Sequence, residues 1–93
     1  MRIEPQRLRH YLHEAAVEQL ASKLRSEGFD VQKEVPAGGA QQVVFDLVAR
    51  RDHEAIFYEV KVFGEGRSPI TKQLSALSAQ ARREGGRFRL VVV

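Results

Sequence analysis

Ninety-three residues, 43 % of them hydrophobic, with a formal net charge of +3 and no cysteine, make a single domain spanning 1–93. That length is near the lower limit of what one apolar core supports unaided, and the absence of cysteine excludes a disulfide framework or a thiolate zinc site. No apolar run approaches the ~20 residues of a membrane span and the N-terminus lacks the apolar stretch of a signal peptide, so the expectation is a cytoplasmic protein with no membrane partner. Eleven of the 15 cationic residues are arginine, the side chain best suited to bidentate phosphate contact, which is compatible with a nucleic-acid partner.

In chain order, residues 5 to 27 read as a helix: Pro5 suits a first helical position and Gly28 a stop. Val17, Leu20, Ala21 and Leu24 form one stripe at helical spacing, which His10, His13 and Glu14 continue toward the N-terminus. Glu14 lies nearer the stripe than Glu18 and is the better candidate to look into the fold, with Glu18 the alternative; both can equally be solvated helix glutamates. The two histidines read first as packing or hydrogen-bonding groups, and second as supports near a phosphate. Phe29 to Val35 alternates as a half-exposed strand toward a sheet edge, followed by a Pro36-Ala37-Gly38-Gly39-Ala40 loop.

Two runs rich in Val, Ile, Phe and Tyr then flank a polar stretch, Val43 to Arg51 and Glu54 to Phe63, the pattern of a β-hairpin. With a turn centred on Asp52-His53, facing residues have numbers that sum to 105, and Asp46 faces Glu59. Alternation puts Asp46, Glu59 and Lys61 with Val44, Val48 and Phe57 on one face, and Phe45, Leu47, Ile56, Tyr58, Val60 and Val62 on the other. Both faces are largely apolar, so these are central strands covered on both sides. Carboxylates directly opposed on one face, roughly 4.5–5.5 Å apart at Cβ, repel each other and are costly to desolvate. A divalent cation such as Mg²⁺, for which Mn²⁺ is a substitute, relieves that repulsion and retains positions for water and a phosphate oxygen; Lys61 can then assist the water or the phosphate. A one-residue bulge in the hairpin breaks this alignment, and a coincidental Asp…Glu-x-Lys is the plain alternative.

After the mobile-looking Gly64-Glu65-Gly66-Arg67, Ser68-Pro69 reads as the cap and first residue of a second helix running to about Glu84, with Ile70, Leu74, Leu77 and Ala81 as its buried stripe. Gln73 and Gln80 border that stripe; Gln73, one turn into the helix, reads first as an exposed glutamine and second as one that reaches the face of the carboxylates. Arg82, Arg83, Arg87 and Arg89 either track a phosphate backbone or form a solvated face. Leu90 to Val93 reads as a final, buried strand, and an apolar strand at the end of the sequence suggests a piece of a longer protein.

The order helix, strand, strand, strand, helix, strand, with Phe45-Asp46-Leu47-Val48 in the second strand and Tyr58-Glu59-Val60-Lys61 in the third, resembles the PD-(D/E)XK nuclease superfamily over essentially the whole chain. Within it the chain is most similar to the archaeal Holliday-junction-resolvase-like branch. The resemblance implies a restriction-endonuclease-like α/β fold, a four-stranded sheet flanked by two helices. It implies Asp46, Glu59, the Val60 backbone carbonyl and Glu14 as metal ligands, Lys61 as the catalytic lysine, and Gln73 as the match to a glutamine on the second helix; Gln73, Arg67 and His10 are the candidate substrate contacts. Phe45 stands where the family motif has proline. The implied activity is Mg²⁺-dependent hydrolysis of DNA, directed by structure or ends rather than by sequence, by a protein that pairs as a homodimer. The rival expectations are a catalytically inactive domain of the same fold that binds nucleic acid or a protein, and an interaction domain whose triplet is coincidental.

Overall fold

A computed structural model describes residues 4–39, 42–62 and 70–93. The elements run α1 (Pro5–Ser26), β1 (Asp30–Ala37), β2 (Val43–Arg51), β3 (Glu54–Lys61), α2 (Ile70–Arg83) and β4 (Arg87–Val92). The predicted cap at Ser68-Pro69 lies outside the described residues, as does the side chain of Ile70. The strands form one sheet in the order β1-β2-β3-β4. β1, β2 and β3 are successively antiparallel, and β4 returns parallel to β3 after α2. This is the mixed α/β, restriction-endonuclease-like core that the element order predicts.

Both helices end in the same way, for a reason visible in sequence. Gly28 takes a left-handed φ of 92°. Its amide bonds Arg25 O, and the Phe29 amide reaches back to Leu24 O, both at 3.0 Å. This is a Schellman closure, in which Leu24 and Phe29 also meet in the core. At the end of α2, Gly85 has φ 82° and the Gly86 amide bonds Ala81 O at 2.9 Å. A Cβ on Gly86 would lie 2.4 Å from Phe57 Cε2 and 2.7 Å from the Ala55 carbonyl oxygen, so only glycine lets β4 start so close to β3.

The sheet has a core on each face. Val17, Ala21 and Leu24 of α1 pack on Leu47, Ala49, Ile56, Tyr58 and Val60. Leu77 and Ala81 of α2 pack on Phe45, Val48 and Phe57, where the Phe45 and Phe57 rings lie 4.7 Å apart at 59°, a tilted arrangement worth about 0.5–1.5 kcal/mol beyond burial. Each fully buried side chain contributes about 1.5–3 kcal/mol.

Three expectations are corrected. Pro36 and Ala37 belong to β1, not to the loop; β1 is an edge strand, where proline costs no ladder bond on the open side. β4 is not buried: it is the other edge, and Leu90, Val92 and Val93 are 40 %, 59 % and 49 % exposed. Phe45 and Leu47 do not share a face, since Phe45 belongs to the α2 core and Leu47 to the α1 core.

The last difference has a local cause. The β1–β2 ladder keeps one register throughout, from Asp30↔Arg50 to Ala37↔Val43, but Glu34 and Asp46 are missing from it between Lys33↔Leu47 and Val35↔Phe45. Glu34 sits at φ 53°, a left-handed conformation that costs a residue with a Cβ about 1–2 kcal/mol. Val31 precedes this point and packs in the α1 core; Val35, Ala37, Val43 and Phe45 lie beyond it and pack in the α2 core. Both strands therefore exchange faces together at Glu34 and Asp46.

Candidate active site

The face exchange lifts Asp46 out of simple alternation and sends its carboxylate toward α1 and β3. The turn at Asp52-His53 sets the register predicted from sequence, but the β2–β3 ladder ends at Leu47↔Tyr58, one pair short of Asp46 and Glu59. Those two residues are not a ladder pair, which corrects the expected direct opposition. Beyond the last pair the Val60 amide donates instead to Asp46 Oδ2 at 2.7 Å. The aspartate thus replaces a backbone acceptor where the two strands part, and its carboxyl group still lies within hydrogen-bonding reach of that of Glu59.

From the other side, His13 Nε2 lies 3.2 Å from the same Asp46 oxygen. Burial alone would push the Asp46 carboxyl up. The Glu59 hydrogen bond, the Val60 amide and His13 together outweigh it and hold the carboxyl below the usual aspartate range. Asp46 is therefore a carboxylate at neutral pH and can only accept, so His13 Nε2 carries the hydrogen.

Two clefts open around this point. One, of about 220 Å³, lies on the α1 side and is lined by His13, Glu14, Val17, Lys33, Glu34 and Asp46. The other, of about 280 Å³, lies on the α2 side; Glu59, Lys61, Gln73 and Leu77 are among the residues that line it. Lys61 Nζ is 3.8 Å from Glu59 Oε2, and both side chains are largely buried. Asp46 thus belongs to the α1-side cleft and Glu59 and Lys61 to the α2-side cleft, with the Asp46–Glu59 contact joining them.

The remaining candidates fall as follows. Glu14 reaches the first cleft but is 56 % exposed, with Oε1 3.8 Å from His13 Nδ1. Glu18 is engaged outside both clefts by Lys33 and Arg25. Its bond to Lys33 and that residue's charge, against a smaller opposing effect of burial and with Arg25 adding to them, hold its carboxyl below the ordinary range. Gln73 is exposed but lines the second cleft. His10 is exposed, lines neither cleft, and has the Tyr11 ring as its aromatic neighbour at 6.2 Å; Arg67 lies outside the described residues. The arginine cluster is at the far end of the sheet: Arg87 pairs with Ile56 in the ladder, whereas Glu59 and Lys61 pair with Leu90 and Val92. Arg83 there bonds Gln80 and Arg87 bonds Glu54.

His13 is the residue for which sequence gave only a general supporting role. The signal was present: it lies four residues before Val17, which lies four before Ala21, so it extends the buried row by one turn.

Among the described residues no three His, Asp or Glu side chains are gathered as a ready cage for a metal ion. What is present is two carboxyl groups within hydrogen-bonding reach of each other, Asp46 and Glu59. That contact needs either a shared proton or a cation. Two hard oxygen donors fit a cation that keeps most of its water, as Mg²⁺ does, better than one that needs a full protein cage.

The sequence matches the family model for archaeal Holliday junction resolvase (Hjc) over residues 13–92. Among solved structures it is similar to the crystal structure of AF1548, a protein of unknown function, with a TM-score of 0.66 and 20 % identity over 83 % of this chain; at that identity the likeness shows the fold alone. The chain spans 45 % of the length of that neighbour. No curated protein matches it significantly. The family match takes in His13, Asp46, Glu59 and Lys61 alike, and on its extent the chain belongs to the archaeal Holliday junction resolvase family.

Proposed function

We propose that this chain is a divalent-metal-dependent nuclease that cleaves DNA at four-way junctions. The observation that carries the reading is the Asp46–Glu59 carboxyl contact, made where the β2–β3 ladder ends and with Lys61 3.8 Å from Glu59. Asp46 and Glu59 hold the cation, the Val60 carbonyl adds a ligand, and Glu14 at the rim of the α1-side cleft completes the set. When bound, the cation supplies Lewis-acid polarisation of the phosphate and lowers the pKa of water. Lys61 keeps Glu59 oriented and offers its ammonium to the charge that develops on the scissile phosphate, electrostatic stabilisation worth about 10²–10³ in rate when a single donor is removed. Gln73, on the wall of the same cleft, contacts the DNA.

Cutting both strands of a junction symmetrically calls for two copies of the site. Exposed Leu90, Val92 and Val93 along the open edge of β4 and exposed Leu8, Tyr11 and Leu12 on α1 are surfaces a second copy can cover. A DNA-cutting enzyme of this kind works in the cytoplasm.

The test begins with Mn²⁺ titrated calorimetrically into the wild-type chain and into Asp46→Asn, followed by cleavage of a synthetic four-way junction and a linear duplex of the same sequence. The expected results are saturable binding lost in the variant, Mg²⁺-dependent cleavage that favours the junction, and a drop of about 100-fold or more in Lys61→Ala. Absence of metal binding by the wild type overturns the reading in favour of an inactive nuclease-fold domain.

A further inference from the structure

We infer that His13 is a positioning residue of the metal site, acting through Asp46; the inference rests on the nuclease reading above. Three observations carry it. His13 Nε2 and the Val60 amide converge on one oxygen of Asp46, Oδ2, at 3.2 and 2.7 Å. The imidazole is itself held: it lies one turn above Val17 on the face of α1 that is anchored in the core, and its side chain is only 22 % exposed. Glu14, the acidic residue next to it, is 56 % exposed, with Oε1 3.8 Å from His13 Nδ1.

Two donors on one oxygen fix both the position of the carboxylate and its rotation about the Cβ–Cγ bond. One donor comes from β3 and the other from α1, so Asp46 is braced from opposite sides. With Oδ2 engaged in this way, Oδ1 is the oxygen set toward an incoming cation. Hydrogen-bond partners that orient a ligating carboxylate typically contribute about 10–100-fold in metal affinity. Helix α1 therefore contributes to the site chiefly through an imidazole N–H donor that orients an existing ligand, while its acidic side chain stays at the rim.

The test uses His13→Ala and His13→Gln in the full chain, with thermal unfolding to confirm that both fold. Glutamine keeps an N–H donor of similar reach. Without metal, the Val60 amide resonance reports the Asp46 carboxylate directly; it should shift in His13→Ala and return toward the wild-type position in His13→Gln. In calorimetry His13→Ala should bind Mn²⁺ about 10–100-fold more weakly than wild type, and His13→Gln should recover most of that loss. If the alanine variant binds Mn²⁺ as wild type does, His13 positions nothing. If glutamine fails to rescue, the imidazole is a ligand and not an orienting donor, which also overturns the inference. Failure of the wild type to bind Mn²⁺ is a separate result: it removes the nuclease reading and this role together.

Discussion

The Val60 amide donates to Asp46 Oδ2 at 2.7 Å immediately past the last ladder pair of β2 and β3, so one side chain serves both as candidate ligand and as backbone acceptor. Asp46→Ala removes the acceptor and leaves a buried N–H unpaired, at a cost of about 1–3 kcal/mol. Asp46→Asn retains an amide oxygen in nearly the same place and should stay within about 1 kcal/mol of wild type. Urea unfolding separates the two. Equal losses in both variants would mean that the Val60 bond contributes nothing to the fold.

Glu34 holds φ 53° at the point where β1 and β2 change faces. Glycine adopts that conformation without strain, so Glu34→Gly should be neutral or stabilise the fold by up to about 1 kcal/mol, even though glycine inside a strand ordinarily weakens it. Glu34→Val should destabilise by at least about 1–2 kcal/mol, although valine is the better strand former elsewhere. Chemical denaturation of the pair checks the order; valine at or above glycine would refute the strain.

Gly86→Ala drives a methyl group into Phe57 and the Ala55 carbonyl. The expected loss is about 1–3 kcal/mol from overpacking. Gly85→Ala meets no atom within 4 Å and bears only the strain of φ 82°, so it should lose less. A thermal melt that ranks Gly85→Ala below Gly86→Ala in stability would show that β4 stands off from β3 more than described.

The Glu18 carboxyl is held below its ordinary value of 4.5, chiefly by its bond to Lys33 and by that residue's charge. A carboxyl whose folded pKa is depressed contributes stability that is present above its unfolded pKa and lost as pH falls through the folded one. Lys33→Ala should therefore raise the Glu18 midpoint toward 4.5 in an NMR titration and flatten the acid side of the stability profile below that pH. An unmoved midpoint would show that the exposed pair is not formed in solution.

The element order, the helix stops and the hairpin register could all be read from local chemistry: Gly28 and Gly85 end the helices, and Asp52, at φ 53°, closes the turn where the polar stretch predicted it. The alternation rule failed at Phe45, since period two assumes an unbroken strand and nothing in Lys33-Glu34-Val35 announces a left-handed residue. No one-residue bulge shifts the β2–β3 register; the interruption lies in the neighbouring pair, where Glu34 of β1 and Asp46 of β2 leave the ladder together and the register is kept. β4 was misread because a run of four apolar residues looks the same at an edge as in the middle of a sheet, where only the neighbouring strand decides exposure. His13 was visible as part of a stripe, but its bond to a residue 33 positions away depends on how far α1 overhangs the sheet, which no local pattern encodes.

The shared face exchange of β1 and β2 also locks the hairpin against slippage. In an ordinary hairpin a one-residue slip turns every side chain over together, so a strand with mixed faces can tolerate it. Here a slip would move the inversion points out of step: Lys33 or Asp46 would enter one apolar layer while Val35 or Phe45 left the other. Misaligned pairing is thus penalised twice, once in each layer, and the chain has a single alignment in which both layers close and the carboxylate is left at the fork.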